Sequence, residues 1–218
     1  MNETQLIEGC KQHNPKAQKA LYDTYARKMM SVCLRYGSNR ETAEDLLQEG
    51  FIKVFSAIGS FEGSGSFEGW MRRIFVNTAL EYLRKNDILK ESVEIDNTEV
   101  LQEVDYSAIE RISADELMEL IAELPPGFRT VFNMFVIEGY SHKEIGDALG
   151  ITESTSRSQL TRAKRLLQKK LEDSGYQVIM VRTSQDVNIS NQQRAEIANK
   201  NNAGAFIRLH CNSDDSSS

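Results

Sequence analysis

Six bases and no acid stand between Thr155 and Leu171: Arg157, Arg162, Lys164, Arg165, Lys169 and Lys170. Positive charge at that density suits a polyanion, and the residue types suit a nucleic acid in particular. Arginine presents a planar fork that donates two hydrogen bonds to guanine O6 and N7, whereas Ser and Thr hydroxyls reach either a base edge or a phosphate. At about 100° per residue, Arg157, Ser158, Thr161, Arg162 and Arg165 share roughly 140° of one helical face, and Leu160, Ala163, Leu167 and Leu171 fall opposite. One face packs and the other is free to read. Such a helix fits a major groove, with Lys164, Lys169 and Lys170 better placed for phosphates. Taken alone, the same pattern also describes a solvated basic face on an ordinary bundle helix.

The elements around this helix give it a seat. Ser141 to Leu149 makes a short helix with Ile145 and Leu149 turned inward, Gly150 supplies a turn, and Thr152 caps the basic helix. That is helix-turn-helix spacing. Other helix starts are marked by Asn14 before Pro15 and by three candidate capping boxes, Ser38 with Glu41, Ser113 with Glu116 and Ser141 with Glu144. Helical periodicity covers most of the first 172 residues and strands are hard to find there, so the fold class is mainly α.

The chain has 218 residues, 40% hydrophobic and 27% charged, which supports a folded core. A formal net charge of −6 argues against polyanion binding only if the charge is evenly spread, and it is not. From Asn86 to Ser113 eight acids (Asp87, Glu91, Glu94, Asp96, Glu99, Glu103, Asp105, Glu110) face two bases (Lys90, Arg111), so that stretch alone carries −8 + 2 = −6. It lacks an apolar stripe and is expected to be a solvated linker between two helical domains. No run approaches about 18 apolar residues, and Glu3 and Glu8 stand where a signal peptide would be basic and then apolar. A cytoplasmic protein with no membrane insertion is expected. Cys10, Cys33 and Cys211 are odd in number and form no CxxC pair, which suggests neither a disulfide framework nor a thiolate zinc site.

Beyond Gly175 the character changes. Tyr176 to Val181 and Ala205 to Leu209 are rich in strand formers and Ser190 to Asn202 is helical, an order that predicts a short βαβ unit. The residues from Ser213 are polar and expected to fray.

Two blocks of sequence resemble the extracytoplasmic-function (ECF) sigma factors of bacterial RNA polymerase. One runs Glu123-Leu124-Pro125-Pro126-Gly127-Phe128-Arg129-Thr130-Val131-Phe132, then Ile137-Glu138-Gly139-Tyr140-Ser141-His142-Lys143-Glu144-Ile145, and is similar to region four of that family. The other, similar to region two, comprises Leu21-Tyr22-Asp23-Thr24-Tyr25-Ala26, Ala43-Glu44-Asp45-Leu46-Leu47-Gln48-Glu49, Ser66-Phe67-Glu68-Gly69-Trp70-Met71-Arg72-Arg73-Ile74 and Val76-Asn77-Thr78-Ala79. The resemblance covers about residues 5 to 172 and implies four parts: region two over 1–90, an acidic linker over 91–112, region four with the helix-turn-helix over 113–172, and an unrelated tail over 173–218.

What the resemblance implies is binding and no catalysis. Asp45, Gln48 and Glu49 match the polymerase-binding helix of region two, with core RNA polymerase as partner. Phe61, Gly65 in the loop Glu62 to Ser66, and Asn77 match the positions that capture a flipped base of the −10 element, a task suited to an aromatic-bearing loop. Arg72 and Arg73 suit backbone phosphate there, while Phe67 and Trp70 read as core. Recognition of the −35 element maps onto Arg157, Ser158, Thr161 and Arg162, the face already found from periodicity, with Arg165 beside them. Promoter DNA is the second partner, an anti-sigma factor a third, and no cofactor is called for.

The tail, in Gly175 to Thr183, Arg194 to Asn199 and Ala205 to Asn212, resembles a fragment of zinc-dependent N-acetylmuramoyl-L-alanine amidases. His210 matches one zinc-ligand position. A working zinc site takes three protein ligands and an open water position, and the remaining ligands of that family are absent, so no metal site is expected. The join near Asp173 has the look of a fusion, a misassembled gene or a chimera. Two rival functions follow: a zinc-dependent peptidoglycan amidase with a helical leader, and a helix-turn-helix repressor.

Overall fold

The computed structural model describes residues 1–86, 113–176, 178 and 191–200. Among them there is no strand. The chain divides into two compact units, Met1–Glu91 and Ser92–Ser218.

The first unit contains α1 (Glu3–Lys11), α2 (Pro15–Tyr36), α3 (Arg40–Ala57) and α4 (Phe67–Lys85), with a 3₁₀ turn at Ile58–Ser60. Asn14 caps α2 by accepting from the backbone of Lys16 and Ala17, with Pro15 at the first helical position. The cap of α3 is Asn39, which accepts from Thr42 N at 2.8 Å, and not Ser38 with Glu41. Both residues can cap, and the chain enters the helix one position later than the box pattern implies. Helices α2, α3 and α4 pack on one another and α1 lies on α2. Their core includes Leu21, Met29, Val32 and Tyr36 of α2, Leu46, Phe51 and Val54 of α3, and Met71, Phe75, Leu80 and Leu83 of α4. Gly50 lets α3 approach α4: a Cβ there would stand 2.2 Å from the Phe75 ring. Cys10 and Cys33 are free and buried, and burial pushes the Cys33 thiol up to about 12.

The second unit contains α5 (Ala114–Ala122), α6 (Pro126–Phe132), a π turn (Asn133–Ile137), α7 (His142–Leu149), α8 (Glu153–Asp173) and α9 (Asn191–Lys200). The capping boxes at Ser113 with Glu116 and Ser141 with Glu144 are both present. Helix α6 is enclosed, with Phe128, Val131 and Phe132 buried against α8. Arg129 is buried too and donates from Nη1 to the Ala122 carbonyl at 2.6 Å, which ties α6 to the end of α5. Gly175, at φ +86°, turns the chain out of α8, and Tyr176 N donates back to Leu171 O at 2.9 Å.

Helix α9 falls within the stretch expected to be helical. The linker expected over 91–112 lies outside the described residues. So do the two expected tail strands, apart from residues 176 and 178, which carry no strand. His210 and Cys211 lie outside them as well.

Candidate nucleic-acid and polymerase interfaces

Thr152 caps helix α8, its hydroxyl accepting from Thr155 N at 3.0 Å. Ser156, Leu160, Ala163, Leu167 and Leu171 are buried, the spacing of a single packed stripe. Arg157, Ser158, Thr161, Arg162 and Arg165 are all exposed. The structure therefore brings the five predicted −35 residues together on one outward face. Ser158 Oγ donates to Thr155 O at 2.9 Å and Thr161 Oγ1 to Arg157 O at 3.0 Å, which turns their protons inward and leaves hydroxyl lone pairs outward as acceptors. Arg157 pairs with Glu153, one turn back on the same helix. Lys169 is exposed, but Lys170 differs from the phosphate-facing expectation: its Nζ lies 2.6 Å from Glu123 Oε2 near the end of α5.

Helix α7 seats α8 through a tight turn. Gly150 adopts φ +68°, a left-handed conformation that costs glycine little. Across the turn Ile151 N donates to Gly146 O at 3.0 Å. His142, at the start of α7, is buried; its Nδ1 lies 2.9 Å from Ser156 Oγ and its ring stacks on Phe135 with centroids 4.3 Å apart. Burial, aided by Arg157 and Lys164 and opposed by Glu153, holds the imidazole below its ordinary value. An unfolded chain therefore takes up this proton first as pH falls. The stability contributed by neutral His142 is complete above about pH 6.5, the unfolded value. It is lost progressively as pH drops toward the lower folded value. Urea unfolding should show wild type losing more stability between pH 7.5 and 5.5 than His142→Gln; equal losses would remove His142 from the linkage.

In the first unit the −10 candidates divide between seat and surface. Phe61 is buried, with its ring 5.1 Å from Phe67 and 5.4 Å from Trp70, while Phe67 and Trp70 stack at 5.5 Å. The three rings form a floor at the base of the Glu62–Ser66 loop. Lys11 Nζ donates to Phe61 O at 3.2 Å and ties α1 to the residue just before the loop. Gly63 and Gly65 are exposed at φ +80° and +83°. Arg73 and Asn77, one turn apart on α4, are exposed, and Arg72 is half-buried.

Asp45, Gln48 and Glu49 are exposed on α3. Ile52, 66% exposed, continues their face by a further turn. Sequence reasoning passes over it because an apolar residue in an amphipathic helix is expected inside. Lys53 sits 3.1 Å from Glu49 and 2.6 Å from Glu81 of α4, pinning one edge of this face.

Sigma-70 region 2 matches residues 21–88 and sigma-70 region 4 matches residues 114–167. The ECF RNA polymerase sigma-E factor of Haemophilus influenzae is 32% identical over 180 residues, covering 77% of this chain and 94% of that protein. The chain belongs to the ECF RNA polymerase sigma factors. The RNA polymerase sigma-H factor of Pseudomonas aeruginosa is 28% identical over 180 residues, covering 77% of this sigma factor and 93% of its own length. Among solved structures, the sigma factor RpoE of Bartonella quintana in complex with the anti-sigma factor NepR is 18% identical, covers 71% of this chain and 96% of its own, and gives a TM-score of 0.45. The region 2 match falls within the first compact unit of this sigma factor and the region 4 match within the second. Among the described residues no helix is long and apolar enough to cross a membrane, and no three His, Cys, Asp or Glu side chains group as metal ligands would.

Proposed function

We propose that this sigma factor directs core RNA polymerase to promoters in the bacterial cytoplasm, acting by binding and catalysing no reaction itself. Region 4 reads the −35 element through Arg157, Ser158, Thr161, Arg162 and Arg165. Region 2 opens the −10 element with Phe61, Gly65, Arg72, Arg73 and Asn77 and holds polymerase through Asp45, Gln48 and Glu49. The observation that carries this reading is the division of α8 into a buried apolar stripe and an exposed Arg/Ser/Thr face. Because Phe61 is buried, it supports the capture loop from beneath, and a flipped base meets the exposed glycine-bearing backbone above it. An anti-sigma factor is the regulatory partner the family suggests. The amidase alternative rests on the resemblance of the tail, in which His210 is the one matching zinc-ligand position, and we assign residues 173–218 no catalytic role.

Run-off transcription by core polymerase, with and without this protein on a promoter library, tests the reading; no promoter-dependent transcript would sink it. Replacing Arg157 or Arg162 by Ala should weaken −35 discrimination by about 1–3 kcal/mol for each bidentate arginine–base pairing removed. Binding to scrambled duplex should fall less, and the fold should persist because both side chains are exposed. Equal loss on matched and scrambled DNA would reassign these arginines to phosphate.

A further inference from the structure

The one acid on the reading end of α8 is Glu153, at its first helical position, and its carboxylate holds the Arg157 guanidinium. A carboxylate is out of place beside DNA, since it repels phosphate and cancels part of the charge that attracts the duplex. Nor does the fold depend on the pair: both side chains are close to half exposed, 48% for Glu153 and 47% for Arg157, and exposed pairs of this spacing contribute little to stability. Thr152 already caps the helix. The pair does give the arginine fork a partner on its own helix, through one contact between Arg157 Nη2 and Glu153 Oε1. It spans successive turns at the N-terminal end of a recognition helix, the end that meets base edges in this motif.

We propose that Glu153 is a specificity-determining positioning residue, which aims the Arg157 fork at a base edge and keeps it off the phosphates. The proposal rests on the reading of α8 as the −35 helix. A flexible arginine satisfies itself on the nearest phosphate whatever the sequence, whereas one already oriented loses less side-chain freedom when it makes two bonds to a base. The carboxylate also makes every non-specific encounter less favourable, which widens the gap between right and wrong sites. Removing it should therefore have opposite effects on the two kinds of binding. A residue needed only for folding would weaken both.

The test uses polymerase holoenzyme reconstituted with the full chain. Promoter duplexes with a randomised −35 element define the preferred bases, and matched and scrambled duplexes are then titrated over a range of salt. Glu153→Gln should raise affinity for scrambled duplex severalfold and steepen the salt dependence by about one counterion. At the base pair read by Arg157 it should reduce discrimination by about five- to tenfold. In an Arg157→Ala background, Glu153→Gln should leave discrimination unchanged while still raising scrambled-duplex affinity. If Arg157→Ala alone leaves discrimination intact, the assignment of Arg157 to base readout fails. If Arg157→Ala lowers discrimination and Glu153→Gln does not, only the positioning role fails. A shift in the preferred base with Glu153→Gln in both backgrounds would overturn the proposal by making Glu153 itself the reader, as a carboxylate accepting from cytosine N4.

Discussion

Assembly with core RNA polymerase is expected to be lost when Asp45 and Glu49 are both replaced by lysine, while the helical content and melting temperature stay close to those of the parent. Both side chains are exposed on α3 and belong to no packed stripe. Glu49 does touch Lys53, but Lys53 keeps its closer bond to Glu81 at 2.6 Å, so the link between α3 and α4 survives. Losing one exposed i,i+4 pair and setting a lysine beside Lys53 in its place costs only about 0.5–1 kcal/mol. The effect at an interface is far larger. Two sites each change from −1 to +1, a swing of four charges, and like charges set against each other cost several kcal/mol. That corresponds to a drop in affinity of more than about a hundredfold. Pull-down of core enzyme, beside circular dichroism of the free variant, measures both arms. Retained assembly would move the polymerase-binding surface off this face of α3, and Ile52 would lose its place as the apolar continuation of that surface.

The exposed face of α8 is legible in the sequence because a two-sided helix writes itself at a period of 3.6, and burial of Leu160, Ala163, Leu167 and Leu171 obeys that period. The same period hides Ser156. A polar residue in the apolar stripe looks like an error until His142 arrives from another helix and meets it at 2.9 Å, a pairing made by tertiary packing alone. Phe61 poses a similar difficulty, since an aromatic next to a glycine loop suits either a base platform or a floor. Only its packing on Phe67 and Trp70 places the ring inside. Lys170 resembles a phosphate ligand because the acids its own helix offers, Glu172 and Asp173, come only at its very end; Glu123, 47 residues earlier, is the partner it meets. The start of α3 falls one residue beyond its capping-box pattern because Ser38 and Asn39 are both good caps and local sequence does not say which one the chain bends at. Glu153 stands four residues before Arg157, a spacing visible in the sequence, but a helix-start acid also favours the positive end of the helix dipole, so the spacing alone does not single it out.

The second large effect is expected from Gly146→Val, which should unfold region 4 selectively. Gly146 lies in α7, where a Cβ would stand 2.8 Å from the backbone oxygen of Ile151 and 3.5 Å from Glu153 N. The obstacle is main chain, so no side chain can swing aside. The Ile151 carbonyl is held by the turn itself, in which Ile151 N bonds to Gly146 O at 3.0 Å and Gly150 adopts φ +68°. Relief requires α7 and α8 to part, which exposes Ile145 and separates His142 from Ser156. Valine's advantage over glycine in helix propensity is only a few tenths of a kcal/mol, against about 1–3 kcal/mol for overpacking a tight site and more where backbone must move. A helical unit of this size commonly has only about 3–9 kcal/mol in total, so the loss is a large share of it. The single tryptophan, Trp70, sits in region 2 and makes the two units separable by probe. On heating, far-ultraviolet circular dichroism should show an early helical loss that Trp70 fluorescence does not report, and core polymerase should still be captured through α3 while −35 discrimination disappears. A single transition reported identically by both probes, at the parent temperature, would mean that the turn between α7 and α8 accepts a β-branched side chain and that its close approach is not what holds the recognition helix in place.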